Sequence, residues 1–494
     1  LKAGFYFVNY QKHEKVAMEC FMIKRERYKR LLKFASSAVI LFVEVALYWF
    51  IWVDYLNTII EFPFFRKGNW LIAALYVALL LFFANTYGGL KIGYLRRANL
   101  IYSNVIAIFW VNVLSYFQLA LIDKKFHSPL VFILLSLGDI ICVTIWVFVF
   151  QWIYAKVFPP KQLLLVYGER GVSNIASKIN SRDDKYIIKG AININKGIDK
   201  VIAATEKYEG VIIGDLHSYE RNLILKKCYD RSIRVYMIPK ITDILIRSSE
   251  ELNLFDTPIL LSKNMGPQID QLIIKRIIDI VFSIILLILT LPLFLIIAIA
   301  IKLESKGNAF YTQKRLTKDG EVFDILKFRT MVSDAEKDGK ARLSTKSDSR
   351  ITKVGHILRL TRLDELPQLI NIMYGQMSLV GPRPERPEIA AQYEKEIPEF
   401  TMRLKMKAGL TGYAQVHGKY NTTPYDKLKL DLTYIRNYSL WMDFKLILMT
   451  PKVLFMKEAT EGVDKGMTVA GLGGEELKAE VYGKLEEFEE ELSD

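Results

Sequence analysis

The chain has 494 residues, 51% hydrophobic and 24% charged, a length that calls for several domains and an apolarity that calls for a membrane. Its three scattered cysteines, Cys20, Cys142 and Cys228, exclude a disulfide framework, and five histidines without a clustered motif argue against a zinc site. A formal net charge of +14 suits anionic lipid or phosphorylated substrates, and no nucleic-acid partner is expected beside so much apolar sequence.

Residues 1–158 contain four apolar runs, at roughly 34–53, 70–86, 101–120 and 130–155. Each is about long enough to cross ~30 Å of hydrocarbon at 1.5 Å per residue, the second only marginally. This predicts a four-helix transmembrane bundle. A polar segment precedes the first run, so no cleavable signal is expected. That segment ends in KRERYKR, and Lys91, Arg96 and Arg97 follow the second run. Both clusters place these ends on the cytoplasmic side, and four crossings return the chain there near Lys156. Glu44 and Asp139 fall inside the first and fourth runs. A carboxylate within a membrane is a functional candidate by default, although both are expected to face the bundle interior and fix its packing.

Between 159 and 267 short apolar runs alternate with polar helical stretches. QLLLVYG, YIIKGAI, GVIIGD and IRVYMIP read as buried parallel strands of a small Rossmann-like α/β domain. Its first strand runs into Gly168-Glu169-Arg170-Gly171, which lacks two of the glycines of a dinucleotide fingerprint. No tight binding of NAD or NADP is expected.

Residues 268–456 open with IVFSIILLILTLPLFLIIAIAI at 280–301, long enough to span a bilayer. Lys275 and Arg276 before it and Lys302 after it carry the cytoplasmic signature at both ends. Pro292 removes a backbone hydrogen bond near the middle and kinks the helix. A re-entrant helix, broken at Pro292 and returning to the cytoplasmic face, meets both conditions.

Compact polar motifs follow, KFRTM at 327–331, then GHILRLTRLDELPQL, SLVGPRP and AGLTGYAQV. Leu366 precedes a proline and is biased away from helical geometry, while Pro367 suits the first helical position. A helix from Gln368 to Tyr374, stopped by Gly375, would leave Asp364 and Glu365 just ahead of an N-terminus that attracts anions. Two carboxylates beside a phosphate need an intervening cation, and Mg2+ bound by one or two carboxylates fits that need. Arg359, upstream, and Arg383, held between Pro382 and Pro384, supply planar forks for phosphate oxygens.

These motifs, with KRIID at 275–279, closely resemble the bacterial polyprenyl-phosphate hexose-1-phosphate transferases over about 271–456. The four helices and the α/β segment before them resemble the large polytopic branch of these phosphoglycosyl transferases. The resemblance implies a catalytic domain in which Asp364 is the nucleophile, assisted by Glu365, with Mg2+ held at that dyad. It implies that Arg359 and Arg383 contact phosphate, and Lys327 and Arg329 of KFRTM are counted with them. It implies transfer of a sugar-1-phosphate, galactose or glucose, from a UDP-sugar to undecaprenyl phosphate, releasing UMP through a phosphoryl-aspartate. That is the priming step of exopolysaccharide, capsule or O-antigen synthesis. The expected setting is a multi-pass protein of the inner membrane with its catalytic domain in the cytoplasm. One departure is Leu291-Pro292, where the family often has Ser-Pro. Two other readings stand beside this one, a membrane sugar-nucleotide dehydratase or epimerase and a non-catalytic scaffold of polysaccharide assembly. A homodimer and polysaccharide-assembly partners are both open. Residues 457–494 form an acidic tail, read as solvated.

Overall fold

The computed structural model describes residues 2–168, 176, 179, 182–262, 266–332, 350–418 and 422–454, with side chains from Arg27 onward. It divides into two compact units, Leu1–Gln162 with Ile179–Ile187, and Leu163–Lys178 with Ile188–Asp494.

The first unit is built on four long helices. They are α1 (Lys2–Ile51), continued by a π turn to Ile59, then α2 (Lys67–Tyr87), α3 (Arg97–Asp123) and α4 (Leu130–Val157). Helix α1 packs on α2 and α4, α2 on α3, and α3 on α4. Ile40, Leu100, Ile108, Val143 and Val147 make the interior, and the Tyr48 and Tyr76 rings stack at 3.9 Å. The helices are apolar outside as well, with Phe42, Phe109 and Ile145 exposed, the pattern of helices that meet hydrocarbon on their outer face. All four apolar runs fall on these helices, each long and apolar enough to cross a membrane, as is a fifth at Ile269–Glu304.

The second unit begins with a four-stranded sheet of β1 (Lys161–Tyr167), β2 (Tyr186–Asn193), β3 (Gly210–Ile213) and β4 (Arg234–Met237), in the order β2-β1-β3-β4. β1 pairs parallel to β3 from Leu163↔Gly210, and β3 parallel to β4 from Gly210↔Arg234. Although β4, expected to be buried, lies at the sheet edge with Arg234 and Met237 exposed, all four strands expected from the sequence are present. They form because Leu164, Val166, Val211 and Ile213 bury fully beneath α5 (Ile198–Thr205) and α6 (Ser218–Asp230), as strands of a covered parallel sheet must. Gly168 ends β1, whereas Glu169, Arg170 and Gly171 of the expected turn lie outside the described residues, as does the acidic tail. Helix α7 (Ile241–Arg247) follows, then a hairpin of β5 (Glu250–Leu254) and β6 (Thr257–Leu261).

Helix α8 (Ile269–Glu304) runs continuously through Pro292. Both of its ends are fastened to the same α/β fold. Near the start, Arg276 donates to the carbonyls of Ile372 and Met373, and Asp279 accepts from the Leu379 amide at 2.9 Å. At the end, Glu304 accepts from the amides of Lys353 and Val354. Between them Ile288, Leu289, Leu291 and Leu295 are 60–70% exposed.

The remaining fold contains an antiparallel hairpin, β7 (Phe310–Leu316) with β8 (Val322–Phe328), then α9 (Lys353–Thr361), α10 (Gln368–Met373), β9 (Ser378–Val380), α11 (Pro387–Glu396), β10 (Gly409–Thr411), α12 (Tyr413–His417), α13 (Pro424–Arg436) and α14 (Leu440–Leu454). SLVGPRP and AGLTG are the two strands of one parallel pair, β9 with β10. A Cβ on Gly409 would come within 2.0 Å of the Gly381 nitrogen, so only a residue without a side chain lets these backbones meet. Ile241 and Ile244 of α7 join Phe400, Leu428 and Leu432 in one core.

Candidate active site

Thr352 accepts from the Gly355 amide at 3.0 Å and so caps α9. The helix ends at Arg362, whose φ of 58° is left-handed. This non-glycine residue reverses the chain into a 3-10 turn, Leu363–Glu365. Leu366 and Pro367 both adopt right-handed helical angles. This overturns the expected extended geometry at Leu366. The turn's own hydrogen bonds, Leu366 N to Leu363 O and Leu369 N to Leu366 O, offset the steric cost that proline imposes on its predecessor. The same bonds use amides at the start of α10, which has only six residues. A free helix N-terminus is therefore not what faces an anion here. The expected stop at Gly375 is found, at φ 82°.

Asp364 and Glu365 are both 8% exposed, yet their surroundings are opposite. Glu365 Oε1 accepts from Lys327 Nζ at 3.0 Å and from Arg383 Nη2 at 2.9 Å, with Arg362 Nη1 at 3.7 Å. Burial alone would raise its pKa, but Arg383, Lys327 and Arg362 together hold its carboxyl well below the usual range. Asp364 Oδ1 is buried and has no hydrogen-bond partner among the described residues. Burial, followed by the charge of Glu365, pushes its carboxyl above the usual range, against the pull of Lys327, Arg362 and Arg359. One acid is thus held as a charge-compensated anion, and its neighbour is left with a bare oxygen.

Lys327 reaches the dyad from the end of β8, where burial pulls its ammonium down against the opposing effect of Glu365. Arg383 reaches it from the rigid Pro-Arg-Pro turn after β9, with its guanidinium held protonated by Glu365. Arg403 fixes that turn. Its Nη2 donates to the Arg383 carbonyl at 2.9 Å, while its Nε binds the fully buried Asp431. Arg359, half-buried in the last turn of α9, acts on Asp364 through its charge.

Arg329 is not brought to this cluster. Its guanidinium donates to the carbonyls of Ser305 and Lys306 and to Ser305 Oγ, closing the end of α8. Two residues apart on the strand, Lys327 turns to the dyad and Arg329 to the helix end. Arg362 and Arg403 carry functions that the sequence reading did not assign. Arg362 stands three positions before Glu365, an ion-pair spacing. No local spacing marks Arg403.

The combined features define a class: a buried carboxylate dyad among basic side chains, on an α/β fold that grips an apolar helix. Residues 270–457 match the family model described as bacterial sugar transferase. Over 266 residues the chain is 38% identical to a UDP-glucose:undecaprenyl-phosphate glucose-1-phosphate transferase of Klebsiella pneumoniae, covering 51% of this chain and 54% of that protein. Over 264 residues it is 34% identical to a UDP-N-acetylgalactosamine-undecaprenyl-phosphate N-acetylgalactosaminephosphotransferase of Aeromonas hydrophila, covering 52% and 61%. Over 133 residues it is 49% identical to a putative undecaprenyl-phosphate N-acetylgalactosaminyl 1-phosphate transferase of Bacillus subtilis, covering 27% and 74%. The chain therefore belongs to the bacterial sugar transferase family, although its matches span little more than half the length of the first two relatives.

Proposed function

We propose that the chain transfers a sugar-1-phosphate from a UDP-sugar to undecaprenyl phosphate, releasing UMP, as the priming step of a bacterial surface glycan. The observation that carries this reading is the unpartnered Asp364 Oδ1 beside a fully compensated Glu365. Asp364 Oδ attacks the sugar-bearing phosphorus, an Asp364–phosphorus bond forms, and the phosphorus–oxygen bond to UMP breaks. The undecaprenyl phosphate oxygen then attacks the same phosphorus, and the carboxylate of Asp364 leaves. Splitting the displacement in this way gives ping-pong kinetics.

Glu365 keeps Lys327 and Arg383 in place, so their remaining N–H groups meet the phosphate charge without reorganising. Arg359 supplies further positive potential on the Asp364 side. A magnesium ion fits this donor set, because Asp364 offers a buried carboxylate oxygen with no other partner and Glu365 is adjacent. Those two residues would hold it, and Mg2+ would supply charge neutralisation of the diphosphate. A scaffold without chemistry would release no UMP from any UDP-sugar.

In this reading α1–α4 cross the inner membrane as a bundle, and α8 enters and returns on the cytoplasmic face. Support comes from the grip on both ends of α8. Asp279 and Ile301 lie 22 residues apart, about 33 Å along a straight helix. Asp279 bonds β9, while Ile301 packs with Phe328 and Leu358 of the same fold. A full crossing would require that fold on both sides of the bilayer. Purified protein in native-lipid nanodiscs, screened against UDP-sugars, should release UMP only when a matching donor is present. Absence of UMP with every UDP-sugar would refute the assignment, and the screen identifies the sugar.

A further inference from the structure

Glu44 on α1 and Asp139 on α4 lie inside the first unit, 3% and 0% exposed. Asn112 of α3 joins them. Its Nδ2 donates to Asp139 Oδ2 at 3.3 Å and to Ser136 Oγ at 2.9 Å, and its Oδ1 accepts from Tyr76 OH at 3.2 Å. Both amide N–H groups are then used, while Oδ1 keeps one lone pair. Among the described residues Asp139 Oδ1 and Glu44 Oε1 are left with no hydrogen-bond partner, and so is Ser115 Oγ, 2% exposed and one turn from Asn112 on α3.

Trp146 on α4 donates to the Ser36 carbonyl on α1 and Ile40 shares a core with Val143, a register that brings Glu44, one turn further along α1, opposite Asp139. Tyr76 on α2 and Cys142 on α4 are the other ionisable groups in reach of both, and Tyr48 on α1 stacks on Tyr76. Helix α3 contributes Asn112 and Ser115, which do not ionise. No lysine, arginine or histidine among the described residues is felt by either carboxyl. Two carboxylates cannot both stay ionised in such surroundings without a cation. Nor does helix packing need them, since an apolar pair would pack without the cost of unsatisfied oxygens.

We propose that Glu44, Asp139 and Asn112 form a binding site for one exchangeable monovalent cation, a proton or an alkali ion, within the N-terminal helices. The site is separate from the dyad and does not depend on which reaction the dyad performs. A cation bound only by the folded helices stabilises them by mass action.

The test uses the full chain in nanodiscs of phosphatidylethanolamine and phosphatidylglycerol, melted while tryptophan fluorescence is followed. Six of the seven tryptophans lie in the first unit, at 49, 52, 70, 110, 146 and 152, so the signal reports on these helices. One arm replaces N-methylglucamine chloride by sodium or potassium chloride at constant ionic strength. The other varies pH between about 5 and 9 in N-methylglucamine alone. Saturation should raise the melting temperature by about 5 °C or more, and Glu44→Gln with Asp139→Asn should abolish the rise. A response to sodium or potassium identifies an alkali ion, and a response to acid alone identifies a proton. Should the double variant not fold, Glu44→Gln alone must move the midpoint of the response by about tenfold in cation concentration. No response in the parent, or the same response in the variants, overturns the proposal.

Discussion

Arg383 Nη2 stands 2.9 Å from Glu365 Oε1, while Asp364, one residue earlier in the chain, keeps its Oδ1 unpartnered. The arginine is therefore matched to the second acid of the dyad, and the first is the one that the proposed reaction employs. Asp364→Asn keeps the volume and removes the nucleophile, so UMP release should fall by about a thousandfold or more. The same change should raise the melting temperature, because it relieves a buried charge without a partner. Paired activity and melting measurements check both, and a variant that turns over normally would end the covalent mechanism.

Glu365→Gln is expected to do the reverse to stability. It leaves Lys327, Arg383 and Arg362 facing one another without their shared anion. Because Lys327 and Arg383 remain 20% and 38% exposed, solvent screens part of that repulsion, and a loss of about 2 kcal/mol is expected by denaturant unfolding. Arg383→Lys retains the charge but loses the fork, so the rate should drop about tenfold to a hundredfold rather than stay at the parent level.

The two acids should also give opposite responses to pH. Glu365 has a depressed folded value, so its contribution to stability is complete above its unfolded pKa of about 4.3 and is lost as pH falls below it. Asp364 has a raised folded value, so its ionisation costs stability as pH rises through that value, and the cost is absent below an unfolded pKa of about 3.9. Catalysis needs the ionised form, so the acid limb of the UMP-release profile reports on Asp364. In Glu365→Gln the like charge is gone and the cations act on Asp364 undivided. The limb of the residual activity should move to lower pH, and an unmoved limb would assign it to another group.

Much of this arrangement can be read from the sequence because it is carried by local pattern. Apolar runs fix the helices, and the strands from Leu163 and Gly210 announce themselves by uninterrupted β-branched and leucine residues. What escapes is decided by distant partners. Arg329 is diverted to Ser305, 24 positions away, and Arg403 reaches Arg383 and Asp431 across three elements. Leu366 disobeys its proline because the 3-10 turn, which no propensity encodes, closes over it.

Arg403 gives a direct test of that long-range support. Its side chain and that of Asp431 are 4% and 1% exposed, so Arg403→Met strands a buried carboxylate and should cost about 3–5 kcal/mol. The double change with Asp431→Leu restores neutrality and should recover much of the stability. It cannot restore the bond to the Arg383 carbonyl, so activity should stay low while melting returns. Full recovery of both would show that the Pro-Arg-Pro turn needs no help from Arg403.

The last expectation concerns α8. Cysteines introduced at Gln271 and Asp319 flank the apolar stretch, and the fold grips both ends of the helix through Arg276, Asp279 and Glu304. In right-side-out vesicles neither cysteine should react with an impermeant maleimide, and in inverted vesicles both should. Pro292→Leu restores a backbone donor in mid-helix and favours a straight span. It should expose one of the two cysteines on the outer face in a fraction of molecules and lower activity in proportion, because a straightened α8 pulls its two sets of anchors apart. Labelling of the parent from opposite faces would mean that the helix crosses the bilayer, and the catalytic fold would then have to reach both of its ends by another route.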